Sequence, residues 1–275
     1  MSNQVTNDKA ASLAATALTR LSHGLTHGDS DALKNYLAFT ARFHQYSFRN
    51  QLLILFQNPD STFVAGFQKW TEMRRWVKRG EKGMAILVPI THKRKTENQE
   101  GSDDKSEEPS RVEERLVGFT TGYVFDIAQT DGEPLPEFRT PRGHPVTYLE
   151  TLIKLTASMG IKLSYAQNLG GARGLSKGNA IVLLDGMMPA EEFQVLCHEL
   201  AHEMLHKGER RIQTTKQIRE LEAEAVAYAV GSAIGLECEC SFDYIRLYKG
   251  DEKMLSQSLH HIQRTASEIL SALFP

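Results

Sequence analysis

The chain has 275 residues, of which 41% are apolar and 24% charged, with a formal net charge of −2. That length accommodates one large domain or two ordinary ones with a proper core, and the near-neutral balance removes any global field that would advertise nucleic acid or anionic lipid as partner. No apolar stretch approaches the roughly 20 residues needed to span a bilayer. The polar N-terminus lacks a secretory pattern, and three cysteines (Cys197, Cys238, Cys240) form no disulfide framework, so a cytoplasmic protein without a membrane partner is expected.

Residues 1–10 read as a disordered lead. Leu13, Ala14, Leu18, Leu21 and Leu25 then recur at helical spacing, and Ser30 caps a second helix carrying Leu33, Tyr36, Leu37 and Phe43. Ser47 opens a third helix that stops before Pro59. Trp70, Met73, Trp76 and Val77 suggest a short helix from about Ala65 to Gly80. After Gly83 the chain turns β-rich at Met84–Ile90, with a matching run from Leu116 to Ile127. Between them, residues 93–114 are polar without periodicity, as expected of a mobile loop joining two paired strands. Residues 128–144, with Gly132, Pro134, Pro136, Pro141 and Gly143, suit an interdomain linker.

A second domain opens with a helix from Val146 to about Ser158 and a half-buried strand at Ile161–Tyr165. The Gly-rich residues 169–178 read as a turn, and Ala180–Leu184 as a strand whose edge could hold an extended substrate. Pro189 starts a helix with Glu191 and Glu192 at its positive end. Another covers about Thr215 to Ile234, and Leu255–Leu273 forms the last. The expected fold is α+β, divided into residues 1–135 and 136–275.

His198-Glu199-Leu200-Ala201-His202 has the H-E-x-x-H spacing of a helix-borne zinc site. Positions 198 and 202 lie one helical turn apart, so both imidazoles can share one Zn2+, with Glu199 placed to accept a proton from the attacking water. A third ligand is sought among Glu220, Glu222 and Glu224. Glu220 and Glu224 share a helix face; Glu220 is favoured as ligand and Glu224 as the group supporting a ligand histidine, with exchange of the two left open. Glu222 points away and is expected in solvent. His206 reads as a helix-end or packing residue, Cys197 as core, and Cys238-Glu239-Cys240 as too isolated for a metal box.

The two halves differ in charge. Between Lys69 and Lys95 stand nine Lys or Arg against two Glu, interleaved with Phe67, Trp70 and Trp76, whereas residues 190–240 hold ten Glu against five Lys or Arg. Cations for phosphates and aromatic faces for unstacked bases are what single-stranded nucleic acid requires. Lys69, Trp70, Arg74, Arg75, Trp76, Lys78, Arg79 and Lys82 form one such cluster, and Tyr46, Phe48, Arg49, Asn50 and Gln51 a second. The competing reading is that Trp70 and Trp76 are core and the basic run a solvated face.

Across residues 45–135, Tyr46-Ser47-Phe48-Arg49-Asn50-Gln51-Leu52-Leu53-Ile54, Gln57-Asn58-Pro59, Phe67-Gln68-Lys69-Trp70, Val77-Lys78-Arg79-Gly80-Glu81-Lys82-Gly83 and Val124-Phe125-Asp126-Ile127-Ala128-Gln129-Thr130 resemble the N-terminal domain of the ArdC antirestriction family. Where members tend to carry Gly-Arg before the valine, this chain has Arg74-Arg75-Trp76. The resemblance implies binding of single-stranded DNA and protection of entering DNA from restriction. His198–His202 and Glu220–Ala227 are similar to the zincin-type ImmA/IrrE metallopeptidases. That likeness implies zinc on His198, His202 and Glu220, Glu224 in support, and cleavage of an unidentified protein or peptide. Rival readings are a DNA-binding protector with structural zinc and a regulatory peptidase that cuts a repressor.

Overall fold

A computed structural model describes residues 2–26, 30–95, 112–134, 145–236 and 252–274. Helices α1 (Ser2–Thr26), α2 (Ser30–Arg42) and α3 (Phe48–Gln57) come first. The segment expected to be a disordered lead is therefore helical. It contains neither Gly nor Pro, and once a helix is nucleated each added residue gains a backbone bond.

Strands β1 (Val64–Gly66), β3 (Met84–Lys95) and β4 (Val112–Asp126) form an antiparallel sheet in the order β1-β4-β3. The two long strands pair as expected and run into the segment assigned to a loop, whose residues 96–111 lie outside those described. Strand β3 leaves one edge open, a row of unpaired backbone groups that needs cover. Helix α3 supplies it with two side-chain amides. Asn50 accepts from the Leu87 N–H and donates to the Leu87 carbonyl, both at 2.8 Å. Gln57 does the same for Ala85, both at 2.9 Å.

The helix expected over about 65–80 is interrupted. Helix α4 (Phe67–Glu72) ends, Arg74 turns the chain at φ 56°, and β2 (Arg75–Val77) pairs with β5 (Thr130–Gly132). Arg74 thus adopts the left-handed conformation that favours glycine. Gly132, at φ 140°, sits so close that a Cβ there would lie 2.4 Å from the Arg74 carbonyl oxygen. Residues 130–132 are consequently sheet rather than linker, because Arg75 reaches across to hold them; residues 135–144 of the expected linker lie outside the described residues.

The second half comprises α5 (Pro145–Ser158), β6 (Lys162–Ala166), β7 (Gly174–Ser176), β8 (Ala180–Leu184), α6 (Pro189–Leu205), α7 (Gly208–Gln213), α8 (Lys216–Ala233) and α9 (Glu252–Leu273). The sheet order is β6-β8-β7. Strand β8 is therefore central and cannot offer an edge to a substrate; β6 and β7 flank it, and β7 lies inside the segment expected to be only a turn. Glu203, on α6 and buried, holds β7 in place. It accepts hydrogen bonds from Ser176 Oγ (2.6 Å) and the backbone N–H groups of Gly178 (2.8 Å) and Asn179 (2.7 Å).

The expected boundary at 135/136 lies outside the described residues. On either side of it the helices share one apolar core: Leu33, Tyr36 and Leu37 of α2 and Leu52 of α3 join Leu196 and Leu200 of α6, Ala223 and Val230 of α8, and Leu259 and Ile262 of α9. A smaller cluster under the first sheet gathers Phe39, Phe43, Ile54, Met84, Ile86 and Val124.

Candidate metal centre

Helix α6 buries Leu196, Cys197, Leu200 and Ala201 and turns its histidines toward α8. Glu220, near the start of α8, meets them. The three ligand atoms stand close together: His198 Nε2 to His202 Nε2 is 3.1 Å, and Glu220 Oε2 lies 3.5 Å from the first and 3.4 Å from the second. A tetrahedral ion with ligands at about 2.1 Å separates neighbouring donors by about 3.4 Å, so the spacing fits a small divalent metal, and two imidazoles with one carboxylate suit zinc.

Glu199 lies beside this cluster and beneath β7. Burial pushes its carboxyl upward, while His198, His202 and a backbone hydrogen bond from Ser176 pull the other way. An upward shift suits a group that must take and return a proton. Gly174 explains the close approach: a Cβ there would lie 2.7 Å from Glu199 Cγ. A cleft of about 400 Å³ opens alongside, lined by Ser176, Lys177, Asn179, His202, Lys207 and Arg211 among others.

The surroundings of the histidines correct one expectation. Glu222, expected in solvent, is 1% exposed. Its carboxylate takes two contacts from Arg210 Nη2 (2.6 and 2.7 Å), one from Ser258 Oγ (2.6 Å) and one from His206 Nε2 (3.0 Å). Burial alone would raise its carboxyl; the bonds from His206, Ser258 and Arg210 outweigh burial and lower it. The face of α8 opposite Glu220 is covered by Arg210 and by α9, which a helical wheel of α8 alone cannot foresee. His206 does cap the end of α6, and it also meets His202, with its Nδ1 3.0 Å from His202 Nδ1. Glu224 is half-buried one turn beyond Glu220 and stands outside the converging group of His198, His202 and Glu220. Cys197 is core, as expected; Cys238 and Cys240 lie outside the described residues.

In the N-terminal half several nominated DNA contacts have structural work. Trp70 is fully buried and donates its indole N–H to the Phe125 carbonyl at 3.0 Å. Arg75 is buried and spans Thr130, Gly132 and Glu133. Asn50 covers the β3 edge, and Gln51 ties Thr40 to the Phe43 and Tyr46 carbonyls. Tyr46, half-buried, donates to the Val64 carbonyl. Exposed are Arg49, Lys69, Arg74, Trp76, Lys78, Arg79 and Lys82; of these Lys69 pairs with Glu72, Arg74 with Glu133 and Lys78 with Asp131. Trp76 is 57% exposed, as are the aromatics Phe67 (60%) and Tyr123 (55%). Tyr123 was not singled out from sequence, since an aromatic in a strand does not reveal which face it occupies.

Residues 3–125 match the family model described as the N-terminal domain of anti-restriction factor ArdC, and residues 153–230 match the peptidase model described as an IrrE N-terminal-like domain. The chain is 25% identical over 277 residues to an uncharacterised protein of Bacillus anthracis, covering 86% of this chain but only 46% of that protein. Its fold is similar to the metal-free crystal structure of the antirestriction ArdC protein from the R388 plasmid, with a TM-score of 0.56, 16% identity, and coverage of 95% and 96% of the two chains. The Mn(II)-bound structure of the same ArdC protein gives a TM-score of 0.46 at 17% identity, over 87% of this chain and 98% of that one. In domain content the chain joins a domain of the ArdC N-terminal type to a peptidase-family domain of the IrrE N-terminal-like type, and its fold is similar to that of the ArdC protein.

Proposed function

We propose that the protein is a cytoplasmic, zinc-dependent endopeptidase joined to a single-stranded-DNA-binding module, acting to protect incoming DNA from restriction. The observation that carries the peptidase reading is the convergence of His198, His202 and Glu220 with Glu199 buried beside them beneath β7. A metal held by those three residues would supply Lewis acidity. Glu199 accepts a proton from the attacking water and returns it to the leaving amine nitrogen. An extended peptide pairs along β7, whose outer edge has no strand partner among the described residues, and this places the scissile bond over Glu199.

The DNA reading rests on aromatic faces left in solvent beside exposed cationic side chains. Phe67 packs edge-on to Phe125, and Tyr123 and Phe125 both border Gly83, next to Lys82. Bases stack on such rings while lysines and arginines follow the phosphates.

Metal analysis and a proteolysis assay test the first reading. Wild type should retain one zinc per chain, Glu220→Ala should lose it, and Glu199→Gln should keep it while losing cleavage. Full zinc in Glu220→Ala would remove Glu220 from the ligand set. Fluorescence anisotropy with a labelled single strand tests the second; binding insensitive to salt, or none, refutes it.

A further inference from the structure

The cluster around Glu222 carries an inference that rests on the metal-site reading and deepens it. Glu222 receives the guanidinium of Arg210, which never gives up its charge, together with the hydroxyl of Ser258. So held, the carboxylate is ionised and can only accept from His206, which must therefore carry its proton on Nε2. In neutral His206 the other nitrogen, Nδ1, is then a bare acceptor, and it faces Nδ1 of His202 at 3.0 Å. His202 must donate there. Its remaining nitrogen, Nε2, is left with a free lone pair, and that atom is the one converging with His198 and Glu220. The reverse polarity would put a proton on His202 Nε2, directed at the cluster, where it could not bind a cation.

We propose that His206, backed by Glu222, is a positioning residue that fixes the tautomer and ring orientation of His202 through two successive hydrogen bonds, so that its Nε2 lone pair is presented to the metal. The relay draws on four helices: α6 provides His202 and, at its C-terminal cap, His206, while α7 provides Arg210, α8 Glu222 and α9 Ser258. Packing of α9 onto α8 thereby reaches the ligand set. Such outer hydrogen-bond partners are worth about 10- to 100-fold in metal affinity.

Side-chain nitrogen NMR of the labelled full-length protein, above the ordinary histidine titration range, tests the assignment without any variant. His206 should show Nε2–H and bare Nδ1 with and without zinc, and His202 Nδ1–H in the zinc-loaded state. His206 protonated on Nδ1 would overturn the proposal. Competition against a chromogenic chelator supplies the second readout. His206→Phe should weaken zinc binding about 10- to 100-fold, while His206→Asn, whose Oδ1 can accept from His202 Nδ1–H, should recover most of it. The unfolding midpoint of each metal-free variant separates lost folding from lost affinity. Wild-type affinity in a folded His206→Phe refutes the relay. If wild type binds no zinc while the tautomers are as stated, it is the metal reading that fails.

Discussion

The two halves of the chain each contain polar residues that the sequence marks as functional, and they treat them differently. Around α6 and α8, His198, His202 and Glu220 meet within a few ångströms. In the N-terminal half, Asn50, Gln51, Trp70 and Arg75 are spent on the fold, and the accessible surface falls to residues such as Trp76, Phe67 and Tyr123. The difference lies in the kind of pattern. A four-residue interval on a helix dictates geometry, because both side chains must leave the same face. A basic and aromatic composition dictates none.

The sharpest way to test that contrast is at Glu199. Glu199→Gln should lower peptide cleavage by about 10²- to 10⁴-fold, the usual worth of a positioned general base, with zinc content unchanged. Cleavage at the wild-type rate would make the centre structural. In the other half, Trp70→Ala should destabilise the protein by about 3–5 kcal/mol, as large core truncations do, and chemical denaturation reads this directly. Should Trp70→Ala instead unfold like wild type and lose DNA binding, the separation of structural from accessible aromatics fails.

Removing one partner from the buried Glu222 cluster leaves charges uncompensated, so Glu222→Ala should cost about 3–5 kcal/mol at neutral pH. The pH dependence follows from the direction of its shift. Its carboxyl is lowered from 4.5. Glu222 therefore contributes stability that is fully present above that ordinary value and is lost as pH falls through the folded-state value. Urea midpoints of wild type and Glu222→Gln should converge on acidification below about pH 4.5. Divergence there would mean that the carboxyl is not ionised in the folded state.

Trp76→Ala is the mildest of the set in the folded protein, because the ring is already more than half exposed. Its unfolding midpoint should stay near wild type, while single-strand affinity drops by about 1–3 kcal/mol if one base stacks on the ring. Unchanged affinity would shift the DNA surface toward Phe67 and Tyr123.

Much of the architecture was legible in the chain. Leu13–Leu21, Phe48–Ile54, Leu149–Leu155 and Leu255–Leu273 carry helical periodicity, and helices stand there; the β-rich runs around Val88 and Val124 pair as antiparallel neighbours. The short strands were not legible. Gly174–Ser176 has no alternating pattern and exists because Glu203 and β8 hold it, and Arg75–Val77 breaks a helical pattern because Thr130–Gly132 lies alongside.

The sequence by itself determined the spacing of His198, Glu199 and His202 on one helix and the choice of Glu220 and Glu224 as a shared face, since both follow from 3.6 residues per turn. Only the tertiary structure decided that Glu220 is the carboxylate that converges and that Glu222 is buried against Arg210 and Ser258. It alone decided that His206 meets His202. Those choices depend on which faces of α6, α8 and α9 are pressed together, and burial of the shared apolar core sets that arrangement across distances no local pattern spans.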